Sequence, residues 1–354
     1  MENGARSGEQ TVKESDMEIL LSGKQYKANL HCHTTVSDGK HTPEEIKQLY
    51  KSHGYSVVAY TDHNVLIDRG DLCDDGFIAL NGYETEVNEA VPDFKFTRTC
   101  HLCFIAEKPD NLTAVGNIKR YAWGNARAYV DKMKVSDPDF ERVYTPECIN
   151  DVISRGRERG FFVTYNHPTW SLEAYPEYSR YRGMNAMEIY NTGCYKEGFD
   201  DYNPHAYDDI MRIMMQNGER IFCVAADDNH NHGGADVGMP GCDSFGGWVG
   251  IFADEFTYMG ITDALRGGRF YASTGPEIFE LVTDGGEVRI RTSPARRISY
   301  ITPYRRCASV HAGETPVTEA VFPISENDGY FRIDVEDERG QHADTSAVLV
   351  GNIK

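Results

Sequence analysis

Tyr26-Lys27-Ala28-Asn29-Leu30-His31-Cys32-His33 is an apolar-leaning run that ends on two histidines separated by a single residue. On an extended strand residues i and i+2 share a face, so the imidazoles of His31 and His33 reach toward one point where a cation can join them. An acidic turn, Ser37-Asp38-Gly39, follows, and the next predicted strand, Ser56-Val57-Val58-Ala59-Tyr60, delivers Thr61-Asp62-His63 at its C-terminal end. Glu84 comes after Phe77-Ile78-Ala79-Leu80, and His101 opens Leu102-Cys103-Phe104-Ile105. His167 closes the run from Phe161 to Asn166, and Asp227-Asp228-Asn229-His230 closes the run from Ile221 to Ala226. Six of the twelve histidines thus stand at the ends of predicted buried strands.

A single histidine at a strand end is ordinarily a hydrogen-bonded or solvated residue. Recurrence changes the reading, because in a barrel of alternating strands and helices the strand ends converge on one rim and distant residues become neighbours. Carboxylates and imidazoles packed there without metal would repel, lose hydration and shift their pKa values. Divalent cations remove that conflict, and mixed nitrogen and oxygen ligation suits zinc, manganese or iron better than magnesium.

The alternation extends along the chain. Thr42-Pro43-Glu44-Glu45 combines an N-cap threonine, a proline at the first helical position and a capping-box glutamate. Residues 146–160 and 204–218 read as helices before the strands at Phe161 and Ile221, an order that implies a parallel sheet. Residues 107–144 exceed a plain connection and predict a helical excursion over the rim. Past Ser273-Thr274-Gly275-Pro276 short β-prone runs follow at close spacing. The expected division is a disordered leader over 1–16, a metal-binding barrel over 17–275 and a small antiparallel β module over 276–354.

With 354 residues the chain has room for such a barrel and module. No uninterrupted apolar run reaches spanning length, so the expectation is no membrane segment. The formal charge of −19 argues against a duplex nucleic-acid surface, while a small phosphorylated substrate could still be held by the cations. Nine cysteines, an odd number at irregular spacing, read as buried thiols of a reducing compartment, and Cys100 with Cys103 lacks a second pair at zinc-ribbon spacing. The residues before Asp16 lack a basic start and an apolar core, so cytoplasm is the expected location. Oligomeric state is left open.

Taken in order, His31 and His33, Ser37-Asp38-Gly39, Thr61-Asp62-His63, Gly82-Tyr83-Glu84, His101, Asn166-His167-Pro168 and Asp228-Asn229-His230 resemble the PHP (polymerase and histidinol phosphatase) superfamily of metal-dependent phosphoesterases. The resemblance implies a distorted seven-stranded (β/α)7 barrel, TIM-like, with two or three divalent metal ions at the C-terminal rim. Carried over by position, it implies one ion on His31, His33, Glu84 and an aspartate of the last motif. Glu84 would bridge to a second ion with His101 and His167, and a third would take Asp38, His63 and His230. Asp228 is favoured for the first ion by its spacing to His230, with Asp227 the alternative.

The chemistry then expected is attack on phosphorus by a metal-bridging hydroxide, cleaving a small phosphomonoester or phosphodiester, a nucleotide among the candidates. Glu84 is the shared catalytic carboxylate. His205, at the start of the Pro204 helix, and His232 are the candidate proton donors. The rival readings are a metallohydrolase of a carboxyl or carbamoyl ester, and a non-catalytic metal-dependent binding protein with a closed structural site.

Overall fold

A computed structural model describes residues 18–199, 202–233, 239, 241–284 and 286–350. The expected leader over 1–16 lies outside the described residues. The first strands are β1 (Glu18–Leu21), β2 (Gln25–Asn29), β3 (Val57–Tyr60), β4 (Ile78–Asn88), β5 (Thr99–Ala106), β6 (Phe161–Tyr165), β7 (Ala186–Asn191) and β8 (Phe222–Ala226). After them come β9 (Trp248–Phe252), β10 (Phe270–Ser273), β11 (Ile278–Thr283), β12 (Glu287–Ala295), β13 (Arg297–Ile301) and β14 (Ala308–His311). The last are β15 (Val317–Pro323), β16 (Tyr330–Glu336), β17 (His342–Thr345) and β18 (Val348–Leu349).

The fold is mixed α/β around a 14-stranded sheet, in the order β8-β7-β6-β5-β4-β3-β2-β9-β10-β17-β16-β13-β14, with β18 pairing β16. A second sheet runs β1-β11-β12-β15. The seven strands expected for a barrel are consecutive in the large sheet, yet no closed barrel is found. The reason is that a strand has two edges: β2 gives one to β3 and the other, antiparallel, to β9, which leaves none for β8. β8 meets the chain beyond β2 through an isolated Cys32–Asn229 bridge and the bond from the Asp228 amide to the His31 carbonyl, 3.0 Å.

The expectation of a parallel sheet also holds only in part. β5 runs antiparallel to both β4 and β6. Its N-terminal end therefore lies at the rim where the parallel strands finish, which is why His101 opens its strand while the other histidines follow theirs. The pairing of His101 with Glu86 places it two residues along β4 from Glu84.

The principal helices are α1 (Pro43–Ser52), α2 (Pro146–Glu158), α3 (Thr192–Glu197), α4 (Pro204–Gln216) and α5 (Tyr258–Gly267). Thr42 and Glu45 form the capping box read from the sequence, and α1 buries Ile46 and Tyr50. α2 buries Ile149, Val152, Ile153 and Gly156. A Cβ on Gly156 would lie 2.3 Å from Phe104, so the glycine is what lets this helix settle onto β5. Within 107–144 the structure has only short elements, a strand pair of Thr113–Ala114 with Lys134–Val135, a helix Ile118–Tyr121 and a 3-10 helix Gly124–Lys132. Among the described residues no helix is long and apolar enough to cross a membrane.

The C-terminal strands are fastened to the rest by charge as well as by the ladder. Arg332 on β16 is buried and donates to both carboxylate oxygens of Asp208 on α4 at 3.0 Å and to Asp344 on β17 at 2.8 Å. Removing the guanidinium would take the ion-pair partner from the buried Asp344 and the partly exposed Asp208, so Arg332→Met is expected to lower unfolding free energy by about 3 kcal/mol, measured by urea titration.

Candidate metal centre

The two histidines after β2 meet as their spacing requires. His31 Nε2 and His33 Nε2 are 3.2 Å apart, and each faces Glu84, at 3.3 Å in both cases. Asp228 Oδ1 lies 3.2 Å from His31 and 3.0 Å from His33. Glu84 also touches His63 Nδ1 at 3.1 Å, His101 Nδ1 at 2.9 Å and His167 Nε2 at 3.4 Å. One buried carboxylate is thus shared by five imidazoles. On the outer side Asp38 approaches His33 at 3.6 Å, His63 at 3.8 Å and His230 at 3.3 Å.

Four sets of donor atoms are close enough to share a cation: His31, His33, Glu84 and Asp228; His33, Asp38, His63 and His230; His63, Glu84 and His101; and His31, His167 and Glu188. Three buried atoms here, His33 Nδ1, His63 Nδ1 and Asp228 Oδ1, have charged neighbours yet no hydrogen bond of proper alignment. Buried polar atoms are rarely left so. Imidazole nitrogens and carboxylate oxygens without bonds, crowded around one point, are the donor set a divalent cation satisfies, and the residues present fit that group.

The electrostatics lead to the same place. Burial raises the pKa of Glu84, but the imidazoles of His31, His101 and His63 outweigh it and hold the carboxyl well below its usual range. Burial likewise opposes the charged form of His167, but Glu84, Asp228 and Glu188 raise its pKa to about 9. His63 goes the other way, pushed down to about 3, chiefly by burial. Crowded imidazoles cannot all hold protons, and metal ligation removes the competition because each ligand binds deprotonated.

The backbone bends to deliver these groups. His167 and Asp228 both adopt positive φ, 25° and 51°, a conformation that L residues with side chains disfavour. Surrounding bonds enforce it. Asp62 accepts from Thr34 Oγ1 and Ser37 Oγ and pairs with Arg69, which fixes the loop bearing Asp38. Glu173 is enclosed by the hydroxyls of Tyr144, Tyr165 and Tyr181, which pins the turn that follows His167.

Of the sequence-predicted residues, His31, His33, Asp38, His63, Glu84, His101, His167, Asp228 and His230 come together, and two do not. Asp227 faces away from the cluster: its oxygens accept from the amides of Phe245, Gly246 and Gly247, from Thr192 and from Tyr50, at 2.8 to 2.9 Å. The chain turns at Asp228, φ 51°, and of the pair only Asp228 joins the metal donors. His205 is exposed at the start of α4 and does not line the cavity above the cluster. His232 does line it, with its ring 5.8 Å from that of His230.

Glu188 is the residue that sequence reasoning missed. It accepts from His31 Nδ1 at 2.7 Å and from the His167 amide at 3.0 Å, turning the Nε2 of His31 toward Glu84. A glutamate inside the otherwise apolar run Ala186-Met187-Glu188-Ile189 was the available signal.

No protein-family model and no curated protein matches the chain. Among solved structures it is similar to a two-domain protein containing a predicted PHP-like metal-dependent phosphoesterase from Bacteroides vulgatus, at 15% identity and a TM-score of 0.42, over 98% of this chain and 100% of that one. It is also similar to an amidohydrolase from Chromobacterium violaceum with bound sulfate and no metal, at 15% identity and a TM-score of 0.30, over 57% of this chain and 87% of that one.

Two outcomes follow. Asp228→Asn should lower the metal bound per chain, whereas Asp227→Asn should retain the metal and lose stability by about 1–3 kcal/mol, because three amide donors lose an anionic acceptor; elemental analysis and denaturant titration separate them. Burial raises Glu173 to about 7, so the folded protein keeps a proton that the unfolded chain releases at the ordinary carboxyl value. Its contribution to stability is therefore present at low pH and is lost as pH rises from about 4.5 to about 7, on the order of 3 kcal/mol in all. Glu173→Gln should flatten that part of the melting-temperature profile relative to the parent.

Proposed function

We propose that this chain is a metal-dependent hydrolase that cleaves small phosphate mono- or diesters. The observation that carries the reading is the sharing of Glu84 by five imidazoles beneath an open cavity, with Asp228 on one side and Asp38 on the other. His31, His33, Glu84 and Asp228 would hold one cation. Glu84 with His101, together with His63 or His167, would hold a second, and Asp38, His33, His63 and His230 a third. Divalent cations in such sites supply Lewis acidity and ionise water near neutral pH.

The chain's own residues do the rest. Glu188 fixes the tautomer and direction of His31, and Glu173 with its tyrosines holds the turn from which His167 projects. The cavity, about 710 Å3, admits a small molecule and has Asp38, Glu84 and Asp228 among its lining residues. A purely structural cluster would be closed over, so access to these carboxylates favours turnover over scaffolding. His232 is the cavity-lining histidine outside the four ligand sets, and its imidazole is the group we assign to hand a proton to the departing oxygen.

Elemental analysis should find divalent metal in the purified protein. Hydrolysis of mono- or bis-nitrophenyl phosphate should stop with chelator and return on adding zinc, manganese or iron. Metal-loaded protein that turned over neither ester would defeat the proposal. Glu188→Gln should weaken metal affinity or turnover by about 10- to 100-fold, as loss of a ligand-orienting partner does.

A further inference from the structure

Two of the three tryptophans stand at the cluster. The ring of Trp123 lies 5.1 Å from that of His63, and the ring of Trp170 lies 5.4 Å from His101 and 5.2 Å from His167. All three of those imidazoles contact Glu84. A group resting on either indole would therefore lie beside the imidazoles that surround Glu84. Trp170 is held by a bond of its own indole, and the segment that carries Trp123 is tied down nearby. Trp170 Nε1 donates to Glu197 at 2.9 Å, and Asn125, two residues after Trp123, donates to the Thr35 carbonyl in the loop that carries Asp38.

These aromatic surfaces are left open where burial would be the rule. Trp123 is 39% exposed, and Phe94, whose ring lies 6.1 Å from that of Trp170, is 62% exposed. Several polar groups on the same walls are already engaged. Glu86 accepts from Asn64, Asp243 from the amides of His230 and Asn231, Asn88 from Thr99, and Glu197 from Trp170. Beyond the metal donors, a substrate thus finds flat apolar faces, with Lys196 and His232 as the further polar side chains of the walls. A planar ring on the alcohol would gain stacking and burial against the indoles, which an alkyl chain or a non-planar ring cannot match.

We propose that Trp123 and Trp170 determine specificity by gripping a flat aromatic or heteroaromatic ring on the alcohol side of the phosphate ester. The inference rests on the phosphoesterase reading above and narrows its substrate class.

The test uses the metal-loaded protein and two monoesters of primary alcohols, benzyl phosphate and cyclohexylmethyl phosphate, which share leaving-group chemistry and differ in ring planarity. The kcat/KM ratio should favour the benzyl ester by about tenfold, the scale of one aromatic stacking contact. The ratio should fall below about threefold in Trp123→Leu or Trp170→Leu and recover in the matching Trp→Phe variant, which restores a flat ring. A parent ratio near one, or a ratio unchanged in both Leu variants, would overturn the inference while leaving the phosphoesterase reading intact. If neither ester were hydrolysed, that reading would fall first, and calorimetric titration with benzylphosphonate and cyclohexylmethylphosphonate would decide the inference by itself. Tighter binding of the benzyl compound that is lost in the Leu variants supports it; equal affinities, or no binding of either, overturn it.

Discussion

Glu84 sits almost fully out of water in the middle of a long strand, and a lone carboxylate in that position would be neutralised or expelled. It stays ionised because five imidazoles surround it, and those imidazoles arrive from the ends of β2, β3, β5 and β6. The reversal of β5, the left-handed turns at His167 and Asp228, and the polar loops tied down by Asp62 and Glu173 can all be read as consequences of gathering nitrogen ligands around one buried charge. Divalent cations bound there would replace the competing protons and carry no hydrogen-bond requirement of their own.

Much of this was legible in the chain because the ligand motifs are short and stand at strand ends. The i, i+2 pair of His31 and His33 needs only an extended backbone to converge, and Thr42 with Glu45 needs only one helical turn. What escaped was set by contacts distant in sequence. Whether β2 pairs with β8 or with β9 depends on residues about two hundred positions away, and no local pattern in either strand states the choice. Nor does any local feature say that His205, at a helix start, faces solvent while His232 reaches the cavity.

Glu188 and Asp227 illustrate a subtler limit. Both are buried acids, one inside β7 and one just past β8, and by residue type either could be a ligand or a support. Asp227 takes backbone amides, a hydroxyl and a phenol, so its partners are neutral donors and it stiffens the turn. Glu188 takes an imidazole and so acts on the metal donors through His31. A left-handed turn at Asp228 separates it from Asp227, and no local pattern announces that turn.

The antiparallel seam between β2 and β9 also bears on how the protein can be handled. β9 passes the sheet on to β10, and β10 to β17, so the backbone that aims His31 and His33 is zipped without interruption to strands near residue 345. Cutting the chain at the end of β10 would bare a full row of amides and carbonyls, an adhesive edge that invites fibrils or misregistered dimers. The distal strands act as a selvedge: they finish the cloth into which β2 is woven, and trimming them for convenience would unravel more than a tail.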